Sequence, residues 1–322
     1  MSSWDSWRNV SHPRNPSPPL GSLMSVSTTS RPRLRIAAIS FLNTAPLMWD
    51  FQHPPCAEAL AARYAIDWML PSECASRLAA GTADLGLIPI AALATTPGLR
   101  IMPGCTIASK GRVRSLLLVR RAGQPLAALR SVAADTASRT TIAHARILLG
   151  KWGNPSVPFL PMAADLDAML DRADAAIVIG DPALLALEER ANRFERTQEE
   201  LVYHDLAEEW HTLTGLPFVS AVWGGTACGS PLDERVAEDL IHSRDNGMKN
   251  IEAISAEWAA RLPIPEATIR GYLSTNIHYV LDDECLDAMR TFFRLAAEAG
   301  VLPEYSFSLS ESAGQQVSKS AL

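Results

Sequence analysis

Short apolar runs alternate with amphipathic stretches through the first two thirds of the chain. Residues 35–40, 65–70, 84–90 and 175–180 are apolar runs of strand length, bounded by Pro, Gly, Ser or Asp. A stretch such as residues 140–151, by contrast, places its apolar side chains at helical spacing. This alternation predicts an α/β protein with a mainly parallel sheet.

The pattern becomes helical after a last predicted strand at residues 216–223. Helices are predicted in the C-terminal part at residues 232–247, 249–261, 265–274 and 284–300. We therefore expect two α/β lobes with a cleft between them and the helical region packed on the first lobe. The expected boundaries are a disordered extension at 1–31, a first lobe at 32–120 and 222–310, a second lobe at 121–221, and a disordered tail at 311–322.

Composition and charge narrow the class of partner. The chain has 322 residues, 48% of them hydrophobic, which is enough for the cores of two domains. Its 35 acidic residues outnumber its 29 basic ones, and no run of Lys or Arg is present. The chain therefore has no cluster of basic residues that could bind a phosphate backbone, and we predict no nucleic-acid partner.

Cysteine usage and the apolar runs bear on the compartment. The five cysteines are scattered, without a C-x-x-C pair, as is typical of reduced thiols. The Ser- and Pro-rich N-terminal stretch has an apolar patch at residues 20–26 that is too short for a signal peptide. Every longer apolar run is interrupted well before the roughly 20 residues that a membrane span requires. We expect a cytoplasmic protein without membrane contact, and expect a truncation starting near Arg31 to keep its activity.

Three predicted loops at strand ends are unusually polar. They comprise residues 40–44, 112–115 and 135–141. Ligands of open α/β sheets bind at the carboxyl ends of strands, where helix-start amides are unpaired. Hydroxyls beside such amides can hold a carboxylate or phosphate, and Arg139 could add a bidentate contact. These loops predict a cleft for a small dianion.

Each of these polar side chains also has a purely structural interpretation. Asn43, Thr44, Ser138 or Thr140 could simply cap a helix, and Arg139 could be solvated. His144 could serve as an acid or base in the cleft, or could be packed or exposed. Asp181, which precedes Pro182, has the sequence of a helix N-cap more than that of a catalytic carboxylate.

The sequence lacks the common nucleotide and esterase motifs. It contains no G-x-G-x-x-G, no P-loop and no G-x-S-x-G. The histidines and acids of residues 204–211 do not have the H-E-x-x-H spacing of a helical zinc site. We predict a reaction that needs neither a cofactor nor a metal.

Taken together, the polar loops resemble a known family. The segment S-F-L-N-T-A-P-L at residues 40–47 is similar to the opening motif of the chorismate dehydratases of the futalosine route to menaquinone. Further motifs recur in family order: P-S-E-C-A, A-D-L-G-L-I-P, V-R-S, D-T-A-S-R-T-T, I-G-D and W-H-T-L-T-G-L-P-F. The resemblance covers about residues 33–303 and departs from the family at Phe41, Arg112 and Ser220.

The resemblance implies a type 2 periplasmic-binding-protein fold and conversion of chorismate to 3-[(1-carboxyvinyl)oxy]benzoate and water. It implies that Asn43 and Ser115 are catalytic or orient the substrate. The binding residues it implies are Ser40, Thr44, Arg114, Ser138, Arg139, Thr140, Thr141 and Asp181. Since neither Asn43 nor Ser115 is an obvious base, we hypothesise that the enolpyruvyl carboxylate of chorismate takes the proton, with His144 or another group as the alternative.

Two other functions stay open at this point. One is a solute-binding protein that captures an anion, because fold alone does not fix function. The other is an enzyme like 1,4-dihydroxy-6-naphthoate synthase, for which the resemblance implies a histidine base and different opening motifs.

Overall fold

The computed structural model describes residues 32–137, 139–226, 233–307 and 309, so the predictions for residues 1–31, Ser138 and the tail at 311–322 fall outside the described residues. Eleven strands are present in this part of the chain. In chain order they are β1 (Leu34–Ile39), β2 (Tyr64–Met69), β3 (Leu85–Pro89), β4 (Leu99–Ser109), β5 (Leu116–Arg121), β6 (Val132–Asp135), β7 (Phe159–Met162), β8 (Ala175–Ile179), β9 (Leu201–Asp205), β10 (Phe218–Thr226) and β11 (His278–Leu281).

The strands form two mixed sheets. The first has the order β11-β4-β10-β3-β1-β2 and the second the order β7-β6-β8-β5-β9. Strand β1 pairs in parallel with β2 and β3, and β6 pairs in parallel with β7 and β8. Strands β10 and β5 run antiparallel to their neighbours in the two sheets. The prediction of a mainly parallel sheet is therefore wrong. Strands β10 and β5 each enter a sheet from the other one and run against the parallel set, and β11 pairs antiparallel with β4.

Twelve α-helices accompany the strands in the described residues. They are α1 (Trp49–Gln52), α2 (Ala57–Ala61), α3 (Pro71–Ala79), α4 (Arg139–Lys151), α5 (Leu166–Arg172), α6 (Asp181–Glu188), α7 (Arg190–Thr197), α8 (Leu206–Thr214), α9 (Glu234–Lys249), α10 (Ile251–Ala259), α11 (Glu266–Gly271) and α12 (Asp283–Glu298). Short 3₁₀ segments lie at Leu42–Met48, Ile90–Ala92 and Leu126–Ala128, and a π-helical turn lies at Tyr272–Asn276. No helix of the described residues is long and apolar enough to cross a membrane.

The chain passes between the sheets twice. The first passage runs through residues 110–115, between β4 and β5, and the second through residues 206–217, between β9 and β10. The predicted lobe boundaries at 120/121 and 221/222 cut through β5 and β10, so they lie a few residues too late. The reason is that apolar strand pattern does not reveal which sheet a strand joins.

The 3₁₀ segment Leu42–Met48 is held against the C-terminal helices. A Cβ on Gly247 of α9 would lie 2.0 Å from the Pro46 carbonyl oxygen, so only glycine permits this approach of helix to backbone. Nearby, Asn246 Nδ2 donates to Asp50 Oδ2 at 2.9 Å. The helical region thus packs on the first sheet as expected, and α12 in addition contacts α4 of the second lobe. This packing fixes the position of the loop that follows β1.

Candidate active site

A mostly apolar cavity lies between the two sheets at the strand ends. Its volume is about 40 Å³, room for a few waters. Its polar lining side chains are those of Asn43, Ser115, Thr141 and Ser220. The remaining lining residues are Ile39, Phe41, Pro71, Pro89, Ile107, Val113, Leu116, Ile179, Gly180 and Ala221. Both sheets thus contribute to one site, as a binding cleft between lobes requires.

Asn43 is the first predicted catalytic residue, and it does not cap a helix. The 3₁₀ segment starts after Phe41, which has extended backbone and makes no side-chain cap. The Thr44 hydroxyl donates to Asn43 Oδ1 at 3.4 Å, a long contact. The Asn43 side chain therefore lines the cavity, and the hydroxyl of buried Thr44 contacts its amide oxygen.

Ser115, the second predicted catalytic residue, stands at the end of a tightly held loop. Arg114 has a φ of 68°, an unusual left-handed conformation for a residue other than glycine. Asp205 stabilises it by accepting hydrogen bonds from Val113 N at 3.0 Å and Arg114 N at 2.6 Å. The same carboxylate caps α8 through Ala207 N and Glu208 N. The result is that Ser115, 1% exposed, has its hydroxyl at the cavity wall.

Tyr272 connects these two residues, and sequence reasoning did not identify it. Its hydroxyl donates to Ser115 Oγ at 2.9 Å and also has a hydrogen-bonding contact with the Asn43 side chain. Desolvation raises the pKa of Tyr272 despite the opposing effect of its contact with Ser115, and because the pKa is raised the side chain stays a neutral phenol. The π-helical turn that carries Tyr272 is a signal of function, but it is invisible in the sequence pattern.

Three hydrogen bonds join the two lobes around the cavity. Leu42 N donates to Asp181 Oδ1, Ser72 N donates to the Ala137 carbonyl oxygen, and Ala91 N donates to Thr140 Oγ1, each at 3.0 Å. Each N–H follows a strand of the first sheet, and each acceptor belongs to a loop or helix start of the second lobe. The helix-start amides predicted to bind an anion are therefore paired with acceptors of the opposite lobe in this closed arrangement.

Asp181 is the first residue of α6, and Gly180 is the N-cap, so the predicted capping role of Asp181 is wrong. Its carboxyl group instead bonds to the first lobe, and desolvation raises its pKa to about 7. Beside it, Gly180 has a φ of 66°, and a Cβ there would lie 2.6 Å from the Phe41 ring. Asp181 and Gly180 thus form a contact between lobes at the edge of the cavity.

His144 is a packed residue and not a base facing the cavity. It is 1% exposed and stacks between Phe218 and Phe292, with ring centroids 3.9 Å and 4.3 Å away. Its Nδ1 lies 3.0 Å from the Thr140 carbonyl oxygen, and desolvation lowers its pKa to about 3. Of the two interpretations that the sequence left open, the structure supports the packed one.

The other predicted binding residues lie around the cavity or away from it. The Arg114 side chain pairs with Glu188 at 2.8 Å and lines a separate surface pocket, so the structure does not support its predicted contact with substrate. Ser40 Oγ donates to the Met69 carbonyl oxygen at 3.3 Å. Arg139 is exposed, with no ion pair among the described residues. Thr141 lines the cavity, whereas Ser138 lies outside the described residues.

One group of possible metal ligands is present in the described part of the chain, and none of its members lines the cavity. It consists of His278, Asp282 and Cys285. The Lys110 ammonium lies 3.0 Å from Asp282 Oδ2, and His278 Nε2 lies 2.8 Å from the same atom. Because the Lys110 ammonium already neutralises the Asp282 carboxylate, we interpret the cluster as an ion-pair network.

The fold is that of periplasmic binding proteins. A protein of Archaeoglobus fulgidus aligns with a TM-score of 0.64 at 13% identity, covering 84% of this chain and 98% of that one. The alkanesulfonate-binding protein of Xanthomonas axonopodis pv. citri, solved with MOPS, aligns with a TM-score of 0.62 at 17% identity, covering 86% and 96%. A Candida albicans protein described as having the generic periplasmic-binding-protein fold gives 0.58 at 12% identity, covering 86% and 92%. At these identities the likeness establishes the fold alone.

Sequence comparison gives the family. A family model described as menaquinone biosynthesis matches residues 34–298, most of the chain. The chain therefore belongs to this menaquinone biosynthesis family. A chorismate dehydratase of Thermus thermophilus is 27% identical over 242 residues, covering 73% of this chain and 86% of that protein. The expected fold and family are both confirmed.

Proposed function

We propose that this protein is a chorismate dehydratase, a hydro-lyase that converts chorismate to 3-[(1-carboxyvinyl)oxy]benzoate and water. The observation that carries the proposal is the meeting of Asn43 and Ser115, from opposite sides of the cleft, at one cavity through the Tyr272 hydroxyl. The likeness to the Thermus enzyme supplies the substrate, since cavity shape alone does not.

The reaction suits a site with few titratable groups. Loss of the C3 proton and the C4 hydroxyl makes the ring aromatic, so the substrate itself supplies the driving force. The enzyme has to orient the substrate, exclude water and stabilise the charge that develops. A mostly apolar cavity with amide and hydroxyl groups on opposite walls fits that task.

The base in this proposal is the enolpyruvyl carboxylate of the substrate. Among the described residues, the cavity lining includes no carboxylate, imidazole or amine. His144, the alternative, is stacked between aromatic rings with its pKa lowered to about 3 by desolvation. Asn43 would hold the enolpyruvyl group, and the Ser115 hydroxyl would bond to a ring carboxylate or to the leaving C4 hydroxyl.

Substrate entry requires the lobes to separate. A cavity of about 40 Å³ does not admit a molecule with ten carbon atoms and two carboxylates. When the lobes part, the amides of Leu42, Ser72 and Ala91 lose their partners on the second lobe. They then become donors for the substrate carboxylates, with Thr141 and exposed Arg139 beside them as proposed binding residues.

The compartment follows from the same proposal. We place the reaction in the cytoplasm, because the four described cysteines are all free thiols, as is usual in a reducing compartment.

The test is direct incubation of purified protein with chorismate, with products separated by chromatography and identified by mass. We expect 3-[(1-carboxyvinyl)oxy]benzoate, which differs from chorismate by one water. Binding of chorismate without turnover would favour the solute-binding alternative. Failure to bind chorismate at all would leave the naphthoate-synthase-like alternative to be tested.

A further inference from the structure

The loop at residues 112–115 is held at four consecutive positions. Asp205 accepts from Val113 N and Arg114 N on one side. On the other side, Asn276 Nδ2 donates to the Arg112 carbonyl oxygen at 2.9 Å, and Tyr272 donates to Ser115 Oγ at 2.9 Å. Tyr272 and Asn276 are the first and last residues of the π-helical turn, so one element holds both ends of the loop.

The hydrogen bond from Tyr272 also determines where the Ser115 proton can go. A serine hydroxyl has one proton to donate and two lone pairs that accept. Since Ser115 Oγ accepts from Tyr272, one lone pair is used and the Ser115 proton is free to point to the cavity. On the far side, Thr44 donates to Asn43, whose amide contacts the Tyr272 hydroxyl. The groups form a chain that runs from Thr44 to the cavity, and such chains polarise one another in a buried setting.

From this geometry we propose that Tyr272 is a positioning residue that aims the Ser115 hydroxyl at the substrate. The inference rests on the proposed function and deepens it, because it assigns a role to a residue that does not line the cavity itself. Tyr272 acts through its hydroxyl group, which fixes the direction in which the Ser115 O–H donates. Its ring is 1% exposed and packs in the core. The ring therefore contributes to stability, whereas the hydroxyl positions Ser115.

The chain offers a matched control in Tyr279. This tyrosine is also buried, at 3% exposure, but its hydroxyl has no hydrogen-bond partner among the described residues. Tyr272→Phe and Tyr279→Phe therefore remove the same atom from two buried rings, one of which contacts Ser115 and one of which does not. The comparison separates loss of a hydroxyl in the core from loss of the contact with Ser115.

The experiment measures kcat and KM for chorismate, together with the thermal midpoint, in wild type and both variants. For Tyr272→Phe we expect kcat to fall by about tenfold to a hundredfold with KM changed much less, as for a small misplacement of a reacting group. For Tyr279→Phe we expect unchanged kcat and an unchanged or higher midpoint, because an unpartnered buried hydroxyl is removed. A Tyr272→Phe enzyme with wild-type kcat would overturn the inference.

A second comparison excludes a merely structural effect. If Tyr272 acts through Ser115, Tyr272→Phe added to Ser115→Ala should lower kcat little further, because the two share one function. Fully additive losses, with kcat expressed per folded protein, would overturn the inference. A wild-type protein that leaves chorismate unchanged would overturn the proposed function and this role with it. A wild-type protein that converts chorismate, together with a Tyr272→Phe variant of equal kcat, would overturn this role alone.

Discussion

Two polar loops that look alike in sequence have different tasks in the fold. The loop at residues 112–115 is held from both sides, by Asp205 and by the π-helical turn, and places Ser115 at the cavity. The loop at residues 135–141 instead gives the Ala137 carbonyl and the Thr140 hydroxyl to hydrogen bonds with the first lobe. Of its described side chains, Thr141 lines the cavity.

The difference shows how a cleft protein divides its polar groups. Groups aimed at substrate need a rigid support, which the 112–115 loop has, whereas groups that join the lobes must release their partners when the lobes open. Substitutions in the first loop should therefore affect turnover, and substitutions in the second should affect the closed state and stability.

The largest effect is expected for Ser115→Ala. If the Ser115 hydroxyl stabilises developing charge, as we propose, its removal should lower kcat by about 10² to 10³. Ser109→Ala is the control, because Ser109 is equally buried just before the same loop and donates to the Gly111 carbonyl oxygen at 2.9 Å, away from the cavity. Steady-state kinetics on chorismate check both variants, and equal losses in the two would contradict the assignment.

Asp205→Ala should have the next largest effect on turnover. It removes the acceptor of Val113 N and Arg114 N, so the strained backbone at Arg114 relaxes and Ser115 shifts, with an expected loss in kcat of roughly tenfold or more. Asp165→Ala is the control, because Asp165 caps α5 through Ala168 N at 3.0 Å and holds no loop. Asp165→Ala should lose about 1 kcal/mol of stability as a cap is removed. Asp205→Ala should lose more, because Val113 N and Arg114 N also lose their acceptor. Denaturant unfolding measures both losses. Unchanged kcat in Asp205→Ala would show that the loop keeps its shape unaided.

Thr140→Val probes the loop that joins the lobes. Valine keeps the shape but leaves the buried Ala91 N–H without its acceptor, which should cost about 1–3 kcal/mol of stability. We expect kcat to change far less than in Ser115→Ala. Hydrogen exchange at the Ala91 amide gives the direct measurement, and retained protection there would contradict the expectation.

The smallest effect on turnover is expected for Asp181→Asn, whose main consequence is a change in the pH dependence of stability. Because desolvation raises the folded-state pKa from 3.8 to about 7, the charged form is disfavoured in the folded protein. The contribution of Asp181 to the free energy of unfolding is at its maximum below about pH 4 and declines as the pH rises to about 7. Asp181→Asn should remove that decline.

Other buried groups also titrate in or near this range, among them Asp205, whose pKa desolvation raises. Desolvation raises the pKa of Asp135 to about 6, which gives a decline of the same sign, and lowers that of His144 to about 3, which gives the opposite sign. The difference between wild-type and Asp181→Asn melting curves, taken across this pH range, therefore isolates Asp181. A difference that does not change with pH would contradict the assignment.

Sequence pattern was sufficient for the buried parallel strands and for most helices, because continuous apolar runs and helical periodicity mark them directly. It missed β4, β9 and β11. Strand β4 contains Pro103 and Gly104, with Gly104 at a φ of 93°, and so lacks the pattern of a regular strand. Strands β9 and β11 are short edge strands whose polar residues, such as His204 and His278, hide the apolar alternation.

The candidate site was predictable where the motif was local and not where it depended on tertiary contacts. Asn43 and Ser115 came from motifs that resemble a family, and both line the cavity. Tyr272 is 157 residues from Ser115 in the chain, so no local pattern could connect them. The outward turn of Arg114 likewise depends on Glu188 and Asp205, which only the fold brings near.

The most direct test of the central claim is the rate at which Asn43→Ala converts chorismate to 3-[(1-carboxyvinyl)oxy]benzoate, relative to wild type. Asn43 does not cap the 3₁₀ segment that carries it, so the variant should fold with a near-normal thermal midpoint. We expect a kcat lower by about a hundredfold or more. Near-normal turnover by the folded variant would contradict it.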